Sequence, residues 1–321
     1  MRNCEFRYVY GPVPSRRLGR SLGIDLVPFK TCTYDCVYCQ LGRTTNKTLE
    51  RKEYVPVEEV IAEVERKLTA ADLPDYISLA GSGEPTLHRG IGDLIRKIKK
   101  MTTIPVAVLT NGSLLWTSEV REALMAADLV LPSLDAGDDR TFRYVNRPHP
   151  DLAIRAVADG TAEFTRMFAG EVWLEVFLLD GVTGIAAEAK KIAALVERIA
   201  PARVQLNTVS RPPAEEYAFA VSGERLREFK RIFPGRVEIV SGEEGHSAED
   251  FALRGARDAD LLALLRRRPC TSEDVARGLR IHVTEALKYL EALATAGKVK
   301  TAVTGGRVYY SVAGSAAASN G

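Results

Sequence analysis

The chain has 321 residues, 46% of them hydrophobic and 27% charged, which is the balance of an ordinary globular protein with about two domains. Its 44 basic and 42 acidic residues leave a net charge of +2, which argues neither for nor against nucleic acid. No apolar run approaches the roughly 20 residues a membrane helix needs, and the N-terminal stretch MRNCEFRYVYGPVPSRR lacks an apolar signal core, so a cytoplasmic protein without membrane contact is expected.

In chain order, short β-branched runs alternate with amphipathic stretches. Strands are predicted over Ser21–Val27, Tyr76–Ala80, Pro105–Thr110, Leu129–Ser133, Val172–Leu178, Arg203–Asn207 and Val237–Val240. Helices are predicted over Val57–Leu68, Ile91–Lys99, Ser118–Ala127, Leu152–Phe168, Ile185–Ile199 and Glu224–Ile232. In the first of these, Val57, Val60, Ile61, Val64 and Leu68 share a face and Glu58, Glu59, Glu63 and Arg66 are expected to point away. Strands separated by helices require crossovers, hence a parallel sheet covered by helices, with a site at the C-terminal strand ends. Roughly six such units make an α/β barrel or partial barrel.

The stretch Ser241–Asp250 is polar and acidic and reads as a linker, so boundaries are drawn at 1–240 for the core, 241–256 for the linker, 257–313 for a small second domain and 314–321 for a disordered tail. The second domain shows helices over Ala259–Leu265, Ser272–Gly278 and Val283–Ala296, then strands Thr301–Val303 and Val308–Val312 about a Thr304–Arg307 turn. Three helices and a two-stranded wing resemble a winged helix-turn-helix. From Gly255 onward ten Lys/Arg face six Asp/Glu, a mild excess that permits a nucleic-acid contact without requiring one.

Three of the five cysteines crowd into Cys32-Thr33-Tyr34-Asp35-Cys36-Val37-Tyr38-Cys39, while Cys4 and Cys270 stand alone. An odd count with clustered spacing argues for metal ligation over a disulfide framework. Thiolate is the soft ligand that suits an iron–sulfur cube. Four cysteines would saturate a four-iron cube, whereas three leave one iron open to chelate a substrate or cosubstrate. A zinc site, a structural thiol cluster or chance are the alternatives. Zinc sites usually draw four ligands in pairs, and His88, His149, His246 and His282 are scattered.

The C-x3-C-x2-C spacing, with Tyr38 at the aromatic position, resembles the signature of the radical S-adenosylmethionine (SAM) superfamily. The resemblance implies a partial (β/α)6 TIM-type barrel and a [4Fe–4S] cluster on Cys32, Cys36 and Cys39. It further implies SAM on the open iron, reductive cleavage of SAM to a 5′-deoxyadenosyl radical, and a reducing partner such as flavodoxin or ferredoxin. Gly81-Ser82-Gly83-Glu84-Pro85 resembles the superfamily's Gly-Glu-Pro motif, which would hold the SAM amino group. Thr110-Asn111-Gly112 matches a frequent T-N-G at the next strand end, where Asn111 either orients the nucleotide part or simply forms a turn. Ser133 and Asp135 follow one strand later, where relatives contact the ribose or carboxylate of SAM, and Asn207 lies on the strand that approaches the adenine; apart from the resemblance, Asp135 reads as an N-cap for the following segment. Glu175, amid Trp173, Leu174, Val176 and Phe177, is expected to line the barrel interior or to face solvent, and Gln205 and Asn207 otherwise read as buried residues with satisfied hydrogen bonds.

The opening Tyr10–Gly19 and the loop Lys30–Thr44 look similar to a clade near the wyosine-type tRNA-modifying synthases and some glycyl-radical activases. The wyosine synthases carry a second three-cysteine cluster, which Cys4 and Cys270 cannot build. The substrate is therefore open: RNA, a small anionic molecule, or a partner protein on which an activase installs a radical. A cluster-containing DNA-binding redox sensor is the reading from a different class, and the Gly-Glu-Pro segment argues against it. Arg16, Arg17, Arg20, Arg143, Arg147, His149 and Arg211 are candidates to hold a phosphate or carboxylate.

Overall fold

Side chains alternate along each strand, so a strand covered on one face by helices must bury every second residue outward and present the others inward. The computed structural model, which describes residues 6–69, 73–240, 258–279, 281, 283–304 and 307–313, arranges the chain around this rule. β1 (Val9–Ser15) and β2 (Gly19–Ile24) form an antiparallel hairpin, and the short β3 (Thr31–Cys32) and β4 (Asn46–Lys47) pair beside the cysteine loop. Then follow α1 (Val57–Leu68), β5 (Tyr76–Leu79), α2 (Ile91–Met101), β6 (Val106–Leu109), α3 (Ser118–Leu124), β7 (Leu129–Leu131), α4 (Asp139–Val145), α5 (Ile154–Met167), β8 (Glu171–Leu178), α6 (Ala186–Ile199), β9 (Arg203–Thr208), α7 (Gly223–Phe229) and β10 (Val237–Ile239).

The sheet order is β1-β2-β5-β6-β7-β8-β9-β10, with every pair from β2 to β10 parallel. This is the partial barrel expected from the strand–helix alternation. Leu22, Ile24, Ile77, Leu79, Val106, Val108 and Val130 pack outward against one set of helices, and Leu174, Val176, Leu178, Val204 and Leu206 against another. The opposite faces line the interior. Near the N-terminal strand ends it is plugged by Leu18, Ala107, Leu129, Leu131 and Trp173. Ser21, bonded to Ser78 at 2.7 Å, lies at the level of that plug, and above it the inward positions include Glu175, Gln205 and Asn207.

Two elements differ from the sequence expectation. β1 was not anticipated because Gly11, Pro12 and Pro14 punctuate it; as the sheet edge, paired only with β2, it tolerates them, and its register shifts between Tyr10 and Val13. α4 lies where the sequence pattern predicts no helix, and Asp138 caps it by accepting from the Thr141 N–H at 2.8 Å. A third correction concerns Glu63, which does not point away. It is buried, and its carboxylate accepts the backbone N–H groups of Arg7, Tyr8 and Val9 at 2.9, 2.8 and 2.9 Å. The chain leading into β1 thereby finds acceptors that no neighbouring strand supplies. Glu63→Ala should destabilise the protein by about 3 kcal/mol, since buried donors lose charge-assisted bonds. Urea unfolding followed by circular dichroism measures this, and an unchanged midpoint would contradict it.

Beyond residue 257 lie α8 (Asp258–Arg267), α9 (Ser272–Leu279), α10 (Val283–Thr295) and an antiparallel hairpin of β11 (Val299–Thr304) and β12 (Arg307–Val312). Leu261, Leu264, Leu265, Val275, Leu290, Leu293 and Val299 form its core, and Val13 of β1 packs against it. The expected linker, the tip of the hairpin turn and the tail after residue 313 fall outside the described residues.

Candidate cluster and cofactor site

The cysteine loop leaves β3 at Cys32 and is docked by backbone bonds on two sides. Asp35 N–H donates to Asn146 O at 3.0 Å and Val37 N–H to Val145 O at 2.9 Å, so the end of α4 holds one flank. The other flank meets the Gly81–Pro85 turn. Lys30 N–H donates to Ser82 O at 2.7 Å and Glu84 N–H to Thr31 O at 3.1 Å. Gly83 makes this approach possible, because a Cβ there would sit 1.9 Å from Thr31 O. The two segments, 50 residues apart in sequence, form one backbone-bonded unit.

Each cysteine sulfur has an N–H donor beside it. Lys30 Nζ lies 3.1 Å from Cys39 Sγ, Asn111 Nδ2 3.6 Å from Cys32 Sγ and Asn146 Nδ2 3.5 Å from Cys36 Sγ. Burial first, then the Glu84 carboxylate, pushes the Cys32 thiol up to about 12. Burial, Asp135 and the two sister cysteines hold Cys36 well above its ordinary range. The thiolate is the ligand form, so a bound metal would take the place of the protons on these sulfurs. Among the described residues no three His, Cys, Asp or Glu side chains close around a single ion. A cube distributes its thiolates over three different irons, so its ligands need not converge on one point. The buried acceptors Asn146 Oδ1 and Gln205 Oε1 have no partner among the described residues, as a polar ligand in the interior would require. The donor set fits a [4Fe–4S] cluster with a polar cosubstrate.

Most of the remaining site residues gather around this loop. Tyr38 stacks on Phe177, centroids 3.9 Å apart and planes 11° from parallel, and its hydroxyl donates to Asp135. Asp135 also accepts Asn146 Nδ2 at 2.7 Å and Phe177 N–H at 3.0 Å. It is therefore not a helix cap, the role Asp138 fills. Burial pushes its carboxyl up to about 6 despite those hydrogen bonds. Glu84 is buried and accepts Thr86 N–H at 3.0 Å, Thr110 Oγ1 at 2.6 Å and Asn111 N–H at 2.7 Å, which ties the Gly-Glu-Pro turn to the Thr110-Asn111-Gly112 turn. Pro85 opens a short 3-10 turn behind it. Gly81 begins the turn, whose Ser82 N–H donates to Asp25 at 3.1 Å. Ser133 bridges to Glu175, and Asn207 Nδ2 donates to Glu175 Oε1 at 2.9 Å.

The candidate anion ligands divide. Arg147 is committed to Glu215 at 2.6 Å and Tyr217 at 2.7 Å, Arg20 Nη1 reaches Leu73 O at 3.4 Å near the N-terminal strand ends, and His149 lies 3.5 Å from Asp151. Arg16, Arg17 and Arg211 instead converge. Arg17 pairs with Glu175 inside the barrel, Arg16 Nη1 donates to Ser210 Oγ at 3.1 Å, and Arg211 Nη1 donates to Gln40 Oε1 at 3.3 Å, one residue past Cys39. Sequence reasoning missed Lys30, Asn146, Phe177 and Gln40. It also missed Arg267 of α8, which pairs with Asp25 and lies over the Tyr10 ring at 4.0 Å. The run Arg266-Arg267-Arg268 was the available signal for the last.

Residues 26–191 match the family described as the radical SAM superfamily. UPF0026 protein MJ1312 of Methanocaldococcus jannaschii is 32% identical over 308 residues, covering 94% of each chain. A Brachyspira hyodysenteriae protein named GTPase Obg is 39% identical over 307 residues, which is 95% of this chain and 45% of that protein, so the chain spans less than half of that relative. Among solved structures, a radical SAM methyltransferase from Sphaerobacter thermophilus superposes with a TM-score of 0.50 at 19% identity, over 68% of this chain and 66% of that one, which is a likeness of fold. No described helix is long and apolar enough to cross a membrane.

Proposed function

Because this chain belongs to the radical SAM superfamily, and is an enzyme whose cofactors are a [4Fe–4S] cluster and SAM, we propose that it abstracts hydrogen from a small anionic substrate held in the barrel interior. When bound and reduced, the cluster supplies an electron that cleaves SAM to methionine and a 5′-deoxyadenosyl radical. The observation that carries the site assignment is the backbone weld between the cysteine loop and the Gly81–Pro85 turn, through Lys30–Ser82 and Thr31–Glu84.

In this reading Cys32, Cys36 and Cys39 are the metal ligands. Lys30, Asn111 and Asn146 place N–H groups on the three sulfurs, which stabilises added negative charge there. Glu84 fixes the turn that offers backbone carbonyls to the SAM amino group, and Gly81, Gly83 and Pro85 shape that turn. Tyr38, locked by Phe177 and Asp135, would close the loop over the cofactor, and Asn111, Ser133 and Asn207 would hold its nucleoside portion. We further assign residues 257–313 as a winged-helix-like domain on a core of residues 1–240, an assignment supported by the order of three helices and a hairpin.

Anaerobic reconstitution followed by reduction with dithionite is the test. About four irons per chain are expected, together with slow formation of 5′-deoxyadenosine from SAM alone. A colourless protein, or one that takes up zinc instead, would sink the assignment.

A further inference from the structure

The C-terminal unit reaches toward the cofactor site through Arg267. Val13 of the edge strand β1 packs against the core of this unit, and Arg267, the last residue of α8, extends to Asp25, one residue past β2. β2 runs beside β5, with Ile24 opposite Leu79, so Asp25 stands next to the Gly81–Pro85 turn. Its Oδ1 accepts Ser82 N–H at 3.1 Å, and its Oδ2 accepts both the Ser82 hydroxyl at 2.5 Å and a guanidinium N–H of Arg267. The fit is close: a Cβ on Gly81 would sit 2.6 Å from the Asp25 carboxyl carbon.

Ser82 is bonded on two sides. Toward Asp25 it offers its N–H and hydroxyl, and toward the cysteine loop its carbonyl accepts Lys30 N–H at 2.7 Å. Lys30 in turn carries its ammonium group to within 3.1 Å of Cys39 Sγ. A continuous run of contacts therefore joins α8 to the cysteine loop by way of Asp25 and Ser82. Charge decides which link matters most. The Asp25 side chain is 12% exposed and that of Arg267 19%, so neither is well hydrated. An enclosed carboxylate is favourable beside a countercharge, and removing one partner of such a pair strands the charge of the other. Arg267 supplies the countercharge here. Its guanidinium is itself set by the Tyr10 ring, 4.0 Å beneath it, and Tyr10 is fixed by pairing with Gly23 of β2. Without Arg267, Asp25 would be drawn toward water, and the two Ser82 bonds that it accepts would go with it.

We propose that Arg267 is a positioning residue for SAM: it holds Asp25 against Ser82 and thereby sets the turn that receives the SAM amino group. The inference rests on the reading of Gly81–Pro85 as a SAM-binding turn. It makes the C-terminal unit part of the cofactor site and not merely an attached domain. A second contact supplies the comparison. The Tyr309 hydroxyl donates to Ser210 O, which docks the same unit on the loop after β9 and not on the turn.

The test is equilibrium dialysis of SAM against the reconstituted full-length protein. Hydrogen exchange of the amides of residues 81–84 and 5′-deoxyadenosine formation at saturating SAM are measured alongside. Arg267→Gln is expected to weaken SAM binding about tenfold, the scale on which losing a supporting hydrogen-bond partner loosens a bound group. Exchange over the turn should quicken, while iron content and the rate at saturating SAM stay at the parent level. Asp25→Asn should do the same, and the double variant should fall no further than either alone, because the two side chains act through one linkage. Arg267→Lys keeps the charge beside Asp25 and should recover affinity to within about threefold of the parent. Tyr309→Phe should match the parent in SAM affinity and in exchange. Should Arg267→Gln fail to fold, Asp25→Asn and Arg267→Lys give the same readings. Parental SAM affinity, or parental exchange over the turn, in Arg267→Gln or Asp25→Asn would overturn the proposal. So would a Tyr309→Phe protein that loses as much affinity, since the loss would then follow from loosened docking of the unit. A parent that cleaves SAM beside an indifferent Arg267→Gln removes the positioning role and leaves the radical reading. A parent that takes up no SAM removes both.

Discussion

Cys36→Ala should yield a folded protein with no stable cluster and with SAM cleavage reduced about a thousandfold or more, which is about 4 kcal/mol of lost transition-state stabilisation at roughly 1.4 kcal/mol per decade. Of the three sulfurs, Cys36 lies deepest in shared negative charge: Asp135, Cys39 and Cys32 all act on it, and Asn146 supplies its N–H donor. Removing that ligand leaves two thiolates for a cube that needs three. The fold should survive, because the loop is held mainly by backbone bonds to Val145, Asn146, Ser82 and Glu84 and not by the sulfur. Cys270→Ala is the counterpart. That thiol is fully buried in the core of the C-terminal unit, its backbone pairs with Tyr310, and it takes no part in the site. Its loss should cost about 1 kcal/mol, a typical core truncation, and leave iron content and turnover intact. Iron and sulfide analysis with electron spin resonance after dithionite reduction separates the two variants. A normal cluster signal from Cys36→Ala would remove this cysteine from the ligand set.

Much of this architecture was legible because the signal was periodic. The faces of β8 and β9 are only half legible: a polar Glu175 amid Trp173, Leu174, Val176 and Phe177 has to line the interior or face solvent, and the structure shows the interior, where Asn207 donates to it. The cysteine spacing, the Gly81–Pro85 turn and the Thr110–Gly112 turn fell at successive strand ends, where a parallel sheet gathers its chemistry. What stayed hidden depends on contacts between segments far apart in sequence. α4 is only seven residues long, too short for periodicity to announce it, yet its end docks the cysteine loop and carries Asn146. Glu63 sits on a helix position that reads as solvent-facing, and only the arrival of β1, a strand masked by glycine and proline, makes burial favourable. The arginines illustrate the same limit. Arg147 and Arg16 are indistinguishable as sequence, and only the placement of Glu215 beside one and of Ser210 beside the other separates an ion pair from a candidate ligand.

Gly83→Ala is the smallest substitution with a large expected effect: SAM cleavage falls about a hundredfold, and the protein still folds. A methyl at this position would lie 1.9 Å from Thr31 O, 2.8 Å from Thr31 C and 2.9 Å from Val27 Cγ2. Two of those atoms are backbone, so no side-chain rotation relieves the clash, and the turn must retreat from the cysteine loop by about an ångström or more to restore ordinary contact distances. That retreat breaks the Glu84–Thr31 and Lys30–Ser82 bonds together. It also drags Glu84 from Thr110 and Asn111, and with it the donor that Asn111 presents to Cys32. Displacements of this size at a reacting centre cost about a hundredfold in rate even where every chemical group survives. The outward-facing neighbours Ile77 and Leu79 of β5 are untouched, so the melting temperature should fall by only a few degrees, as for about 1 kcal/mol in a protein of this size. The iron content of Gly83→Ala should stay close to that of the parent, because all three thiolates remain, while SAM binding measured by equilibrium dialysis weakens along with turnover. That combination, cluster kept and cosubstrate lost, distinguishes a displaced turn from a damaged ligand set. A Gly83→Ala protein with parental SAM affinity and turnover would show that contact between the two segments is not what positions the cofactor.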